Sequence, residues 1–304
     1  MNEKKVLIIG GTGFIGYHVA KLCSKNYKTT SLSLSIPNKH RKCENVKYII
    51  CDISKKSDLE KKIKDKFDII VNLGGYINHT NKNLAIKTHF KGCQNLVNFF
   101  SDKKIKIFIQ IGSSTEYGKQ KSPNIENNNG KPKTIYAQSK LNATKYLSKF
   151  SKKNNFPIVI LRFYQVYGPN QNKDRLVPMV IESSLNDDTF NCSSGIQGKD
   201  FMYISDAVDA IYKCFSNKKI IGKIINIGSG KKITVKRLIL KIVKKVNAGK
   251  PIFGILGMRS DEPKNSYPNI MKAKNYLSWT PKVAIEKGLS KTINFYKKQK
   301  KYDK

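Results

Sequence analysis

Apolar residues gather in short runs along this chain, unbroken at residues 6–9 and with one or two polar residues at 47–51, 69–72, 105–111 and 224–227. Runs of this kind read as strands of a parallel sheet buried on both faces. Residues 29–35 read as another strand, rich in hydroxyls. Between strands the apolar spacing lengthens to a helical period. Phe14, Ile15, Val19, Ala20, Leu22 and Cys23 form one such stripe. Ser57-Asp58-Leu59-Glu60 has the capping-box spacing and predicts a helix opening at Ser57. Residues 84–100 and 136–150 carry further helices with apolar faces, and Thr134 is placed to cap the second. Alternating strands and helices predict an α/β fold with a doubly wound parallel sheet. Residues 119–133 hold two prolines and a glycine among polar residues and read as a loop, a candidate lid.

The first strand runs directly into Gly10, Gly13 and Gly16, spaced G-x-x-G-x-x-G, and a helix begins inside the motif. That context makes the motif a dinucleotide site. Gly10 permits the tight turn, Gly13 lets backbone approach phosphate, and Gly16 lets the helix sit close to the sheet. The amides around Phe14 and Ile15 then offer unpaired N–H groups to a pyrophosphate. An NAD site usually carries an acid about 20 residues further on. Here no acid stands between Gly16 and Glu44, and Lys39, His40 and Arg41 follow the hydroxyl-rich strand. A 2′-phosphate suits that setting, so the residues favour NADP over NAD. Asp52, followed by Ile53 at the end of the third strand, can accept from an adenine amino group. Leu73 and Gly74 end the fourth strand and offer bare backbone to the cofactor.

Tyr136 and Lys140 are one helical turn apart and share a face. Phenol ionises near pH 10, too high for a base at neutral pH, and a neighbouring ammonium favours the phenolate. Residues 112–118, Gly-Ser-Ser-Thr-Glu-Tyr-Gly, end a strand with hydroxyls that can orient a substrate oxygen.

These motifs occur in order with Leu161 to Pro169, Lys199 to Asp206, Ile225 to Gly230, Arg259 and Trp279-Thr280-Pro281. The set resembles the extended short-chain dehydrogenase/reductase family of sugar-nucleotide epimerases, dehydratases and reductases, over nearly the whole length. The resemblance implies a Rossmann-type sheet with a smaller C-terminal α/β substrate lobe. It places the NAD(P)-binding domain at residues 1–165, a returning strand near 224–227, and a mostly substrate-binding lobe at 166–304. It implies Ser113, Tyr136 and Lys140 as the catalytic set, and a nucleotide-diphosphate hexose as substrate, with hydride exchanged at C4. Substrate contacts fall on Gln165, Arg175, Lys199 and Arg259. The helices at 84–100 and 136–150 imply a homodimer.

Four departures matter. The family's dehydratases carry Asp-Glu after the catalytic hydroxyl, where this chain has Ser114 and Thr115, which argues against dehydration. Gln165 stands where the family has Asn, and Lys199 where it often has Arg. His89 replaces an Asn and is given no role. With no acid at the ribose, 4-keto-sugar reduction is favoured over 4-epimerisation with tightly bound NAD. A silent relative that binds RNA or a protein partner is the third reading.

Composition changes little of this. The net charge of +37 invites a nucleic-acid reading, yet only five of the 58 basic residues are Arg, and Lys is scattered through every segment. That distribution fits solvated faces better than a binding stripe, and the field helps to gather an anionic substrate. The six cysteines form no C-x-x-C, so reduced core thiols, no metal site and a cytoplasmic location are expected. No run approaches membrane-spanning length, and no signal peptide precedes the first strand.

Overall fold

The computed structural model describes residues 3–75, 82–127, 130–258 and 262–302. In its first half, strands β1 (Lys5–Ile9), β2 (Lys28–Ser33), β3 (Val46–Ile50), β4 (Ile69–Asn72), β5 (Ile107–Ser113) and β6 (Ile158–Phe163) alternate with helices α1 (Phe14–Cys23), α2 (Lys56–Lys62), α3 (Lys82–Ile86), α4 (Gly92–Phe100) and α5 (Ile135–Asn154). A π-helical turn, Lys87–Lys91, joins α3 to α4. Then follow β7 (Gln165–Tyr167), α6 (Leu176–Leu185), β8 (Thr189–Cys192), β9 (Gly198–Lys199), β10 (Phe201–Tyr203) and α7 (Ile204–Cys214). The chain closes with β11 (Ile224–Ile227), β12 (Ile233–Thr234), α8 (Val235–Val246), β13 (Lys250–Phe253), β14 (Asn265–Ser266), α9 (Met271–Leu277) and α10 (Ile285–Tyr302).

Seven strands form one parallel sheet in the order β11-β6-β5-β4-β1-β2-β3. The order reverses between β1 and β4, and ligands bind such sheets outside the carboxyl ends of the strands at that point. Both faces of the inner strands β1, β4, β5 and β6 are buried, whereas β3, at the edge of the sheet, is only partly covered and leaves Ile50 exposed, which corrects the expectation of a doubly buried strand at 47–51. Val6 and Ile8 point into one core with α1, α7 and β11, while Leu7 and Ile9 point into another with α2 and α4. The return of residues 224–227 to the sheet is realised as β11 on β6. Later segments make small sheets of two or three strands, β7 with β10, β8 with β13, and β9 with β12 and β14. Among the described residues no helix is long and apolar enough to cross a membrane.

Two local expectations are corrected. Helix α2 opens one residue earlier, at Lys56, and Ser57 does not cap it. The Asp58 carboxylate instead accepts the Asp52 N–H at 2.7 Å, tying the helix to the end of β3. The described residues around Asn124 and Glu126, within the segment expected as a candidate lid, are tied to the rest of the fold. The Arg162 guanidinium donates to the Glu126 carbonyl at 3.3 Å, and Glu126 Oε1 accepts the Asn226 N–H at 2.9 Å. Asn124 bonds through its backbone to Tyr267 and Asn269.

That loop joins a buried ion pair. Glu116 is 0% exposed, and its Oε2 accepts from Arg162 Nε at 2.8 Å. The guanidinium also lies 4.7 Å from the centre of the Tyr117 ring, whose hydroxyl donates to Asn226 Oδ1 at 2.7 Å. Asp200 is a second buried carboxylate. It accepts from Ser229 N–H at 2.7 Å, Ser229 Oγ at 2.8 Å and Lys231 N–H at 3.1 Å. Burial pushes its pKa up to about 6, against the opposing pull of those donors.

Removing one member of a buried pair strands the other charge, so Glu116→Leu is expected to destabilise the fold by about 3–5 kcal/mol in urea unfolding. Glu116→Leu with Arg162→Met should recover much of that, and a double variant no better than the single would contradict it. The raised Asp200 pKa means that its contribution to stability is full below about pH 4 and lost as pH rises through about 6. The deficit of Asp200→Asn should therefore shrink over that window, and a deficit that is flat or grows with pH refutes the assignment.

Candidate active site

The glycine turn closes against two strand ends. Gly10 N–H donates to the Leu32 carbonyl at 2.7 Å, and Gly10 adopts φ +76. A Cβ there would stand 3.0 Å from the Leu73 carbonyl carbon. A Cβ on Gly16 would stand 2.1 Å from the Gly10 carbonyl oxygen, so only glycine lets α1 seat on the turn. Gly13 is the N-cap of α1 with no capping side chain, and the first turn carries no acid. A Cβ on Gly13 would meet only the Gly10 oxygen, at 3.2 Å, which leaves space beside an open helix N-terminus. Open amides, a positive helix end and bare backbone fit a pyrophosphate. Phe14 and Ile15 pack their side chains on the core and leave their backbone to the turn.

The neighbouring strand ends complete the cradle. Ile53 is buried with its carbonyl accepting from Asn95 Nδ2 at 2.9 Å, and Asp52 Oδ1 accepts the Ser54 N–H at 2.9 Å. A Cβ on Gly74 would meet Ile9 Cγ2 at 2.8 Å and Ile53 Cδ1 at 3.3 Å. The structure thus brings Gly10, Asp52, Ile53, Leu73 and Gly74 to one edge of the sheet. Ser33 Oγ, at the end of β2, accepts the Thr12 N–H at 3.3 Å.

Ser113 is the last residue of β5 and caps the 3-10 turn Ser114–Tyr117. Its N–H donates to Glu116 Oε1 at 2.7 Å, and its Oγ accepts from Thr115 N–H at 3.2 Å and Thr115 Oγ1 at 2.8 Å. Thr115 thus fixes the position of the Ser113 hydroxyl oxygen at the end of β5. Thr134 caps α5, its hydroxyl accepting the Ala137 N–H at 3.3 Å, as the sequence predicts. This cap starts the helix so that Tyr136 lies in its first turn and Lys140 in its second. Helix α5 packs on β5 and on the 3-10 turn after it. Lys140 is buried, and its ammonium donates to the Ile111 carbonyl at 3.0 Å, two residues before Ser113.

Beneath Lys140 runs a polar chain that sequence reasoning missed. Gln110 Nε2 donates to the same Ile111 carbonyl at 3.1 Å, and its Oε1 accepts from Asn72 Nδ2 at 2.8 Å and Cys93 Sγ at 3.3 Å. Asn72 Oδ1 accepts the Gly74 N–H at 3.0 Å. The cradle edge and Lys140 are therefore joined through two buried side chains, Asn72 and Gln110, and the Ile111 carbonyl, with Cys93 attached at the side. His89, which the sequence left without a role, is also at the site. It is 2% exposed in the π-helical turn and meets the Tyr136 ring edge-on, with centroids 5.0 Å apart. The signal available was its place in the helix where the family carries Asn.

The expected substrate residues are less closely gathered. Gln165 opens β7 and bonds through its N–H to the Asp200 carbonyl at 3.2 Å, one residue from Lys199. The Lys199 ammonium, 12% exposed, pairs with Glu262 at 2.7 Å, a partner not foreseen from sequence. Arg175 is the N-cap of α6. Arg259 lies outside the described residues.

Residues 6–228 match the NAD dependent epimerase/dehydratase family. The chain is 26% identical to a Bacillus subtilis protein described as an uncharacterized UDP-glucose epimerase, YtcB, over 96% of this chain and 97% of that one. It is 28% identical to the dTDP-D-glucose 4,6-dehydratase of Mus musculus, over 97% and 89%. Among solved structures, UDP-glucuronic acid 4-epimerase from Bacillus cereus, in complex with UDP-glucuronic acid and NAD, superposes with a TM-score of 0.88 at 25% identity, covering 97% of this chain and 99% of that one. UDP-N-acetylglucosamine 4-epimerase from Methanobrevibacter ruminantium, in complex with UDP-N-acetylmuramic acid, gives 0.89 at 25% identity, over 98% and 100%. The family match spans most of the chain, and the chain belongs to the NAD-dependent epimerase/dehydratase family.

Proposed function

We propose that this protein is an NAD-dependent 4-epimerase of a nucleoside-diphosphate hexose. The observation that carries the reading is the Ser113 cluster. The two positions where an eliminating enzyme of the family holds acids carry Ser114 and Thr115, and Thr115 is hydrogen-bonded to Ser113. Hydroxyls in those places cannot take a carbon-bound proton or protonate a leaving hydroxyl at neutral pH. Dehydration is therefore not the proposed reaction.

The nicotinamide, when bound, accepts a hydride from the sugar and returns it. The amides at the α1 N-terminus hold the pyrophosphate, and Asp52, Ile53, Leu73 and Gly74 line the adjoining edge. Tyr136 Oη takes the proton of the sugar C4 hydroxyl as C4–H leaves as hydride, and it returns that proton in the reverse step. Ser113 donates to the same oxygen and holds it in line. Lys140 sets a positive charge one helical turn from Tyr136, fixed by the Ile111 carbonyl. Between the two hydride steps the ketone presents its other face. Gln165, Arg175, Lys199 and Arg259 are proposed to hold the nucleotide and its diphosphate.

NAD is proposed over NADP because Arg41, the one fork among the expected 2′-phosphate cations, is committed to oxygens of the protein itself. The second reading is 4-keto-sugar reduction. It is favoured by the hydroxyl, rather than acid, at the end of β2. A homodimer through α4 and α5 is part of the proposal, and Leu84 and Ile86 on the adjoining α3 are exposed.

Protein purified without added cofactor should release NAD on acid treatment, and should interconvert C4 epimers within a panel of UDP-, GDP-, CDP- and dTDP-sugars read by mass spectrometry. Turnover only with added NADPH would select the reductase, and loss of water from the sugar would refute both. Tyr136→Phe should lower kcat by about 10²–10⁴-fold, the range for losing a positioned acid/base group. NAD content should be unchanged, and a fully active variant would remove Tyr136 from the chemistry.

A further inference from the structure

The loop after β2 reaches across to the loop after β7, and Arg41 makes the join. It ends the short 3-10 turn Lys39–Arg41. Its Nη2 donates to the Asn170 carbonyl and to Asn172 Oδ1, both at 2.6 Å, and its Nη1 donates to the Thr12 carbonyl at 3.4 Å. Thr12 belongs to the glycine turn. One planar guanidinium thus holds three oxygens from two distant stretches of chain, which an ammonium on a flexible stem does not match. Burial lowers its pKa, as befits a cation lodged between protein groups.

The receiving loop is built to be held. Asn170 adopts φ +63, and Gln171 Nε2 donates to the Val166 carbonyl at 2.9 Å. The Tyr296 hydroxyl of α10 donates to the Gln171 carbonyl at 2.7 Å, and His18 Nε2 of α1 lies 2.9 Å from the Pro169 carbonyl. The loop therefore rests on α1 and α10, with Arg41 as its tie to the glycine turn. A pyrophosphate on the turn can leave only past the elements that flank it, and the clasp joins two of them. Epimerisation returns the hydride, so its cofactor has no need to exchange between turnovers.

We propose that Arg41 is a cofactor-retaining residue, which clasps residues 170–172 to the glycine turn and makes NAD exchange wait for the clasp to open. This rests on the NAD-binding part of the reading above and not on the identity of the sugar.

The test loads the purified protein with NAD, removes free dinucleotide and follows its replacement by excess isotope-labelled NAD. Arg41→Lys keeps the charge and removes the fork, while Asn172→Ala keeps Arg41 and removes one acceptor. Circular dichroism and thermal melts establish that each variant is folded. Exchange should quicken about tenfold or more in Arg41→Lys, in line with loss of hydrogen bonds to a charged group. Asn172→Ala should quicken it severalfold. Exchange at the wild-type rate in both variants overturns the proposal, and so does a wild-type rate in Arg41→Lys alone, which leaves a role for charge only. A wild-type protein that neither carries NAD as purified nor takes it up overturns both the proposal and the cofactor reading. Slow exchange in the wild type, faster in the variants, with no turnover of any nucleotide sugar, supports the clasp and sinks the epimerase reading alone.

Discussion

A parallel sheet delivers its strands to one edge, and something must fix the chain where each strand stops. In this protein the Glu116–Arg162 ion pair does so at the most consequential place. One carboxylate oxygen holds the Ser113 N–H and the other holds the Arg162 side chain, so one buried group ties the end of β5 to β6. The guanidinium then reaches Tyr117 and Glu126, and through them Asn226 of β11. Charges taken this far from water are stable only while every partner is present. The direction of the Ser113 hydroxyl, the course of residues 119–133 and the seating of β11 consequently stand or fall together.

Much of the fold was legible because its signals are local. Short, mainly apolar runs mark strands buried on both sides, and the structure places residues 6–9, 69–72 and 224–227 in the central sheet. Gly10 and Gly16 were readable from spacing, since a left-handed φ and a close helix approach admit no side chain. Thr134 was readable as a cap because its hydroxyl has one favourable use at that position. The nearness of Lys140 to the end of β5 followed from helical period and strand order.

What escaped the sequence depends on contacts between distant residues. Ser57 has the spacing of a cap, but Asp58 found a better donor in Asp52, and the helix began earlier. The loop at 119–133 has the composition of a mobile segment. Asn124 and Glu126 within it are held by Arg162, Asn226 and Tyr267, which no local window contains. Arg41 looked like a phosphate ligand because a basic cluster follows β2, whereas its partners lie some 130 residues away. His89 and Glu262 were passed over for the same reason, and each is placed by what folds against it.

The buried chain from Gly74 to Lys140 has one further consequence, carried by the sulfur at its side. Cys93 is fully enclosed, and burial raises its thiol to about 11, so it stays protonated and unreactive at neutral pH. Cys93 is therefore an inert filler of the core that shares the Gln110 carboxamide oxygen with Asn72, on the same polar chain that reaches Lys140.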